Sequence, residues 1–247
     1  MRRLRDKSGN DVDNFILEVQ NNEIEGAKVV HKFGHLLTTS TSIVETITDL
    51  GGSYVYHLGY GVNAKKVDVV SSSASDTYAF VIQGLDAEGK EQSETVTLNG
   101  TTIVTSVNTY SRIFRAWNDN GVDLVGFVTI KETTTANLVA KIAIEDQQTL
   151  MAIYTIPLGY TGYLFHGTAA IGQGKQANIR YVIRLKDKVF RTQERFPIFE
   201  SSLEASRPYL PIPELSDIEV RSKATSLSDD ISASFGILLL DNSLYKA

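Results

Sequence analysis

The chain has 247 residues, 42% apolar and 21% charged, with a net charge of −5 and a pI near 5.4: enough for one large or two ordinary cores, and too acidic for a protein whose main task is to hold nucleic-acid phosphates, although a local basic spot is compatible with it. The absence of cysteine excludes disulfides, thiolate nucleophiles and cysteine-ligated zinc. No apolar run approaches the ~18 residues that cross a bilayer, and MRRLRDKSGNDVDN lacks the apolar centre of a secretory signal, so a soluble protein made in the cytoplasm is expected.

Residues 1–27 read as an arm. Arg2, Arg3, Arg5 and Lys7 precede the turn-rich SGNDVDN, and only Phe15 to Val19 has strand character. Such an arm orders on a neighbouring subunit, or else residues 1–14 are a frayed terminus. From Val29 onward nearly every pattern has period two. In YAFVIQG, Tyr78, Phe80 and Ile82 share a face; after the polar turn LDAEGK, EQSETVTL places Val96 and Leu98 together, which predicts a hairpin. Asn99-Gly100 suits a type I′ turn, so TTIVTSV is expected to fold back on the preceding strand and extend a meander. Strands are also predicted in SRIFRAW, DLVGFVTIK, NLVAKIAIE, TLMAIYTIP, GYLFHGTAAI, NIRYVIRLKD, KVFRTQERF, DIEVRSKA and DDISASFGILLL.

Two of these patterns assign faces. NIRYVIRLKD puts Ile179, Tyr181, Ile183 and Leu185 on a core face and Arg180, Arg184 and Lys186 on a wet one. DDISASFGILLL sends Ile231, Ala233, Phe235, Ile237 and Leu239 inward, leaving Leu238 and Leu240 on the other face. Those two leucines are expected to meet further copies of the chain in a trimer, or to lie under the chain's own segment 197–216. That segment holds four of the five prolines, cannot be a central strand, and reads as a long crossing between sheets. The acidic, amide-rich IEDQQ at 144–148 marks a boundary. The prediction is an all-β chain of antiparallel β-sandwich or jelly-roll type: an arm (1–27), an N-terminal β-sandwich (28–147) and a C-terminal jelly-roll-like domain (148–247).

Reactive constellations are scarce. GLDAEGK (84–90) fits the spacing of a phosphate loop, but Glu91 stands where Ser or Thr is needed and a strand follows where a helix is needed, so it reads as a hairpin turn. His31 and His35 would converge on a metal only on a helix, and Gly34 lies between them. His57 and His166 stand alone among aromatic strand residues. WNDNGVD (117–123) gathers Asn118, Asp119, Asn120 and Asp123 without EF-hand spacing, and a turn needs those residue types anyway. NGT at 99–101 is formally a glycosylation sequon and reads as a hairpin turn. No nucleophile elbow appears. No catalytic residue, metal site or cofactor is predicted.

VHKFGH, ETITDLGGSY, VVSSSASDT, VIQGLDAEGKEQSETVTLNGTTIVTSVNTYSRIFRA, TLMAIYTIPLGYTGYL, DIEVRSKA and ISASFGILLLDN, in that order from about residue 30 to 242, resemble a group of structural proteins of tailed bacteriophages, abundant in marine phages. The chain departs from that pattern at His35-Leu36-Leu37, where Arg-Asn-Pro is usual, and in lacking a Trp before Gly51-Gly52. The resemblance implies a non-enzymatic virion component. A decoration or cement role on the capsid surface is favoured: the basic arm would follow an acidic rim of the major capsid protein while the sandwich stands outward. Neck, collar or tail parts are the alternative, and a glycan-binding β-sandwich or glycan-degrading enzyme is a third class that would need exposed aromatics or paired carboxylates. No membrane or specific nucleic-acid partner is expected.

Overall fold

The computed structural model describes residues 15–199 and 203–245. A short helix, α1 (Phe15–Gln20), precedes β1 (Ala27–Leu37) and the two-residue β2 (Glu45–Thr46). There follow β3 (Val67–Ser71), β4 (Ala79–Leu85), β5 (Glu91–Thr97), β6 (Val104–Thr105), β7 (Arg112–Asn118), β8 (Val128–Glu132) and β9 (Leu138–Ile142). The remaining strands are β10 (Ile153–Thr155), β11 (Tyr160–Ile171), β12 (Gln176–Arg184), β13 (Arg191–Phe199), β14 (Leu203–Ile212), β15 (Asp217–Ala224) and β16 (Asp230–Asp241). The all-β expectation holds, with antiparallel pairing throughout the sheets.

One sheet runs β1-β16-β11-β14 and a second runs β10-β15-β12-β13, with β2 also on β15. Taken in chain order, β1 and β10 to β16 pass from one sheet to the other at every step except β12 to β13, which form a hairpin within one sheet, and this is the wiring of an eight-stranded jelly roll. The core between them holds Leu36, Ile179, Tyr181, Ile218 and Val220 together with the inward set of β16. Ile231, Ala233, Phe235, Ile237 and Leu239 are all buried, as alternation along β16 requires.

A second, smaller sandwich interrupts this fold between β2 and β10. Its sheets run β6-β3-β8-β9 and β5-β4-β7 and enclose Val67, Val69, Phe80, Ile82, Ile113 and Ile130. The division at 147/148 therefore needs correction. The loop after β9, where Glu145 and Gln147 take positive φ, does end the smaller sandwich. Residues 27–47, however, join the C-terminal strands, because β1 pairs with β16 from Ala27↔Leu240 to Leu37↔Asp230. Gly34 marks the place where the chain leaves and re-enters: a Cβ there would collide with backbone atoms of Ile47 and Ala152.

Four local expectations also change. The β4–β5 hairpin forms, with Phe80 opposite Val96, but β6 pairs with β3 and not with β5. Gly100 takes positive φ and Asn99 does not, so the turn is not type I′. The Gly100 N–H donates to the Asp76 carbonyl and the Ser71 N–H to the Gly100 carbonyl, which steers the chain to the other sheet. Segment 197–216 does cross between sheets, but as the end of β13 and the whole of β14, both edge strands; Pro197 is tolerated there because an edge needs no second ladder.

Residues 15–20 are helical rather than extended, and this decides the fate of Leu238. Val19, Ile24, Ala27 and Leu238 form a small buried cluster, flanked by Phe15, Val29, Tyr163, Phe165 and Leu240. Leu238 is 5% exposed and Leu240 half-buried. The chain's own N-terminal segment packs against both, through Val19, Ile24 and Ala27. The arm residues Arg2, Arg3, Arg5 and Lys7 lie outside the described residues.

Replacing Leu238 with Asp is expected to release α1 from the sheet. A charge cannot stay in that cluster unpaired, while β16 keeps its inward residues. Glu-C protease should then cut rapidly at Glu18, Glu23 or Glu25 in the variant and slowly in the wild type. Equal cutting rates would mean that Leu238 does not hold the helix. Phe235→Ala, in the jelly-roll core, is expected to lower global stability by about 3–5 kcal/mol in urea titrations.

Candidate functional site

The outward face of β15 and β12 carries the most concentrated chemistry in the described structure. Because Ile218 and Val220 point into the core, Asp217, Glu219 and Arg221 face the other way, in register with Arg184, Val182 and Arg180 of β12. This face was expected to be wet. It is instead half-covered by an extended strap, residues 54–60, that leads into the smaller sandwich, and Val182 is buried.

Asp217 is the hub, with its side chain 3% exposed. Arg112 of β7 donates to it from Nε at 2.9 Å and from Nη2 at 3.3 Å. Arg184 donates from Nη2 at 2.6 Å and from Nε at 2.9 Å. Thr155 adds its hydroxyl at 2.7 Å. Arg112 also ties down the strap, donating from Nη1 to the Leu58 carbonyl at 2.9 Å. Burial disfavours its charge, but the Asp217 carboxylate outweighs that and holds the guanidinium above its ordinary pKa.

Aromatic rings alternate with these cations. Arg112 lies 4.7 Å from the Tyr60 ring and 4.8 Å from that of Tyr56. Arg184 lies 4.2 Å from Tyr56 and 4.6 Å from Phe190, and Arg221 sits 4.3 Å from the other side of the series at Phe190. The order Tyr60, Arg112, Tyr56, Arg184, Phe190, Arg221 thus bolts strap, smaller sandwich and jelly roll together by cation–π contact and charge-assisted hydrogen bonds. Burial pushes the Tyr60 hydroxyl up to about 12, against the pull of Arg112, so it stays neutral. A second tie joins Lys28 of β1 to Glu91 of β5 at 2.7 Å, and Glu91 also accepts the Tyr154 hydroxyl at 3.1 Å.

A buried lysine completes the seam. Lys32 of β1 is 5% exposed and donates to the Phe114 carbonyl of β7. Burial, and then the Arg115 charge, lowers its pKa from the ordinary 10.5 to about 7. Three residues farther along β1, His35 bridges Asp49 at 2.9 Å and Asp230 at 2.8 Å. Burial alone would depress the imidazole; the two carboxylates more than compensate and raise it.

The other motifs resolve into structure. His31 and His35 lie on a strand, and among the described residues no group of three or more His, Asp or Glu is placed to hold a metal ion. Asp86 of GLDAEGK accepts the N–H groups of Glu88 and Lys90, closing the β4–β5 turn. In WNDNGVD, the Asn118 amide donates to the Val122 carbonyl and to Gln147, and the Asn120 amide to the Ala79 carbonyl. The residues that sequence reading missed are Arg112, Asp217 and the strap tyrosines. Only the Tyr54, Tyr56, Tyr60 spacing hinted at a stacked face.

No protein-family profile matches the chain, and no curated protein matches it. Among solved structures it is similar to particles of infectious bursal disease virus. The Gt strain structure shares 12% identity over 90% of this chain and 74% of that one, with a TM-score of 0.24. The Gx strain structure shares 9% over 89% and 72%, with a TM-score of 0.27. The VP2 subviral particle of the same virus shares 10% over 90% and 74%, with a TM-score of 0.23.

Asp217→Asn is expected to cost about 3–5 kcal/mol in urea titrations, because it strands two part-buried guanidinium groups; a cost near zero would show the hub to be ornamental. Lys32 predicts a pH dependence. Its pKa falls on folding, so between about 7 and 10.5 the unfolded chain binds more protons, and stability rises with pH across that window. Lys32→Met, which keeps the apolar stem, should flatten the rise; an unchanged slope would place the titration elsewhere.

Proposed function

We propose that the chain is a non-enzymatic structural component of a virion, and within the virion a decoration or cement protein on the major capsid shell. The observation that carries this reading is the stack from Tyr60 to Arg221, which makes one stiff body of two sandwiches. A cement protein has to hold neighbouring subunits at a fixed geometry, and two rigidly coupled β-sandwiches present separate faces for that. The jelly-roll wiring is shared by viral capsid domains, lectins and cupins, so it is compatible with the reading without selecting it. The likeness of seven ordered strand phrases to tailed-phage structural proteins supports it further.

The polar groups at the seam point to the same end. Asp217 spends both oxygens on arginines and a threonine, Glu91 on Lys28 and Tyr154. These carboxylates serve as struts and not as an acid–base pair. Exposed apolar side chains are frequent on the smaller sandwich and the strap: Val62 is 94% exposed and Val107 78%, and Ile103 and Val125 are also open. Such residues suit contact with other subunits. The basic arm residues Arg2, Arg3, Arg5 and Lys7 are assigned to an acidic rim of the major capsid protein.

The test is stoichiometry in purified virions. A copy number on the order of that of the major capsid protein is expected. A single ring's worth of copies would make the protein a neck or tail component, and its absence from washed particles would remove the virion role.

A further inference from the structure

The chain is acidic as a whole, yet between Lys175 and Arg195 seven basic side chains meet only two acidic ones, Asp187 and Glu194. Strand register concentrates this charge. Arg195 of β13 stands directly opposite Arg180 of β12, and Arg180 directly opposite Arg221 of β15. All three are on the outward face, since Ile179, Phe196 and Val220 beside them pack in the core. Three arginines therefore occupy one register row across three strands, with strand spacings of about 4.8 Å. Glu194 is opposite Tyr181 and so belongs to the other face.

Like charges directly across a ladder are unfavourable, and the same sheet shows the ordinary remedy one step away, where Arg184 faces Asp217. Arg180 and Arg195 lack that remedy, whereas Arg221 has a carboxylate partner in Glu219 and stacks on Phe190. Arg180 makes no ion pair or hydrogen bond among the described residues, and its Nε is buried without a partner. Arg195 is exposed and reaches only Asn178, at 3.5 Å. Arg221 commits Nε to Glu219 at 2.7 Å. Farther along the same face of β13, Pro197 and Phe199 are exposed, Phe199 at 59%.

We propose that the Arg195–Arg180–Arg221 row is a docking surface for an acidic segment of a partner protein, whose Asp or Glu carboxylates the guanidinium groups receive. Carboxylates match the planar fork of arginine. The apolar flank at Pro197 and Phe199 gives the mixed Arg and aromatic character of a protein interface. A nucleic-acid backbone fits less well, because the net charge of −5 repels an extended polyanion beyond the row. This assignment does not depend on the virion role.

The test compares the full-length protein with its Arg180→Gln/Arg195→Gln variant. Fluorescence anisotropy at low ionic strength is measured with a labelled oligo-glutamate peptide and with a thymidine oligonucleotide of equal charge. The wild type should bind the peptide at least about tenfold more tightly than the variant does, and more tightly than it binds the oligonucleotide. The variant should unfold at the same temperature or higher, because an internal repulsion has gone. Failure of the wild type to bind the peptide, equal peptide affinity in the two proteins, tighter binding of the oligonucleotide, or a clear fall in the variant's melting temperature would each overturn the proposal.

Discussion

The pairing of β1 with β16 is the constraint on which the rest of the structure rests. It joins residues 27–37 to residues 230–240 over eleven residue pairs, so the jelly roll closes only when the two ends of the chain meet. Everything between has to be arranged compatibly. The smaller sandwich must leave and return beside β1 at Gly34, and α1 must fold over the outward face of β16 where Leu238 would otherwise be open. Contacts of such sequence separation form late and slowly, whereas the β4–β5 hairpin is local. The inserted sandwich can therefore organise its own core before the frame around it is complete.

Two sandwiches joined through a pair of chain crossings would ordinarily hinge. Here their two interiors interlock at the junction: Leu85 and Phe114 reach from the smaller sandwich into the jelly-roll core, and Met151 and Ile153 pack in the other direction. The arginine and aromatic series then fixes the angle. Apolar contact alone is tolerant of small slides, but Asp217 accepts from Arg112 and Arg184 only in one orientation. Burying that charge is costly, and the cost is offset by its five donors and the flanking rings. Lys32 shows the opposite balance. With no carboxylate near among the described residues, burial drives its pKa down, and the site favours the uncharged amine.

Alternation along a single strand was readable wherever both neighbours of the strand confirm it. The five inward residues of β16 and the Phe80 to Val96 hairpin are of that kind, because period two and turn chemistry are both local. Pairing was not readable. Nothing in VHKFGHLL states that its partner is DDISASFGILLL, some 200 residues away, and so β1 was assigned to the wrong sandwich. The six residues of α1 are too few to show a helical period, and their burial depends on Leu238. The Asp217 hub was hidden for the same reason: Arg112 is 105 residues away along the chain, and DIEVRS looks like any strand with a polar face. The arginines of NIRYVIR were correctly placed on the outward face. That this face would be bridged by a tyrosine strap, and that Arg180 would meet two further arginines, depended on neighbours that period two does not name.

The discontinuous jelly roll is the central structural claim, and native-state hydrogen exchange tests it most directly. Amides of β1 should open together with those of β16 and β11, with one common free energy and one denaturant dependence, while amides of β3, β4 and β8 form a separate group. If β1 instead opened together with β3, β4 and β8 while β11 and β16 stayed closed, residues 27–37 would belong to the smaller sandwich, and the jelly-roll closure described here would be wrong.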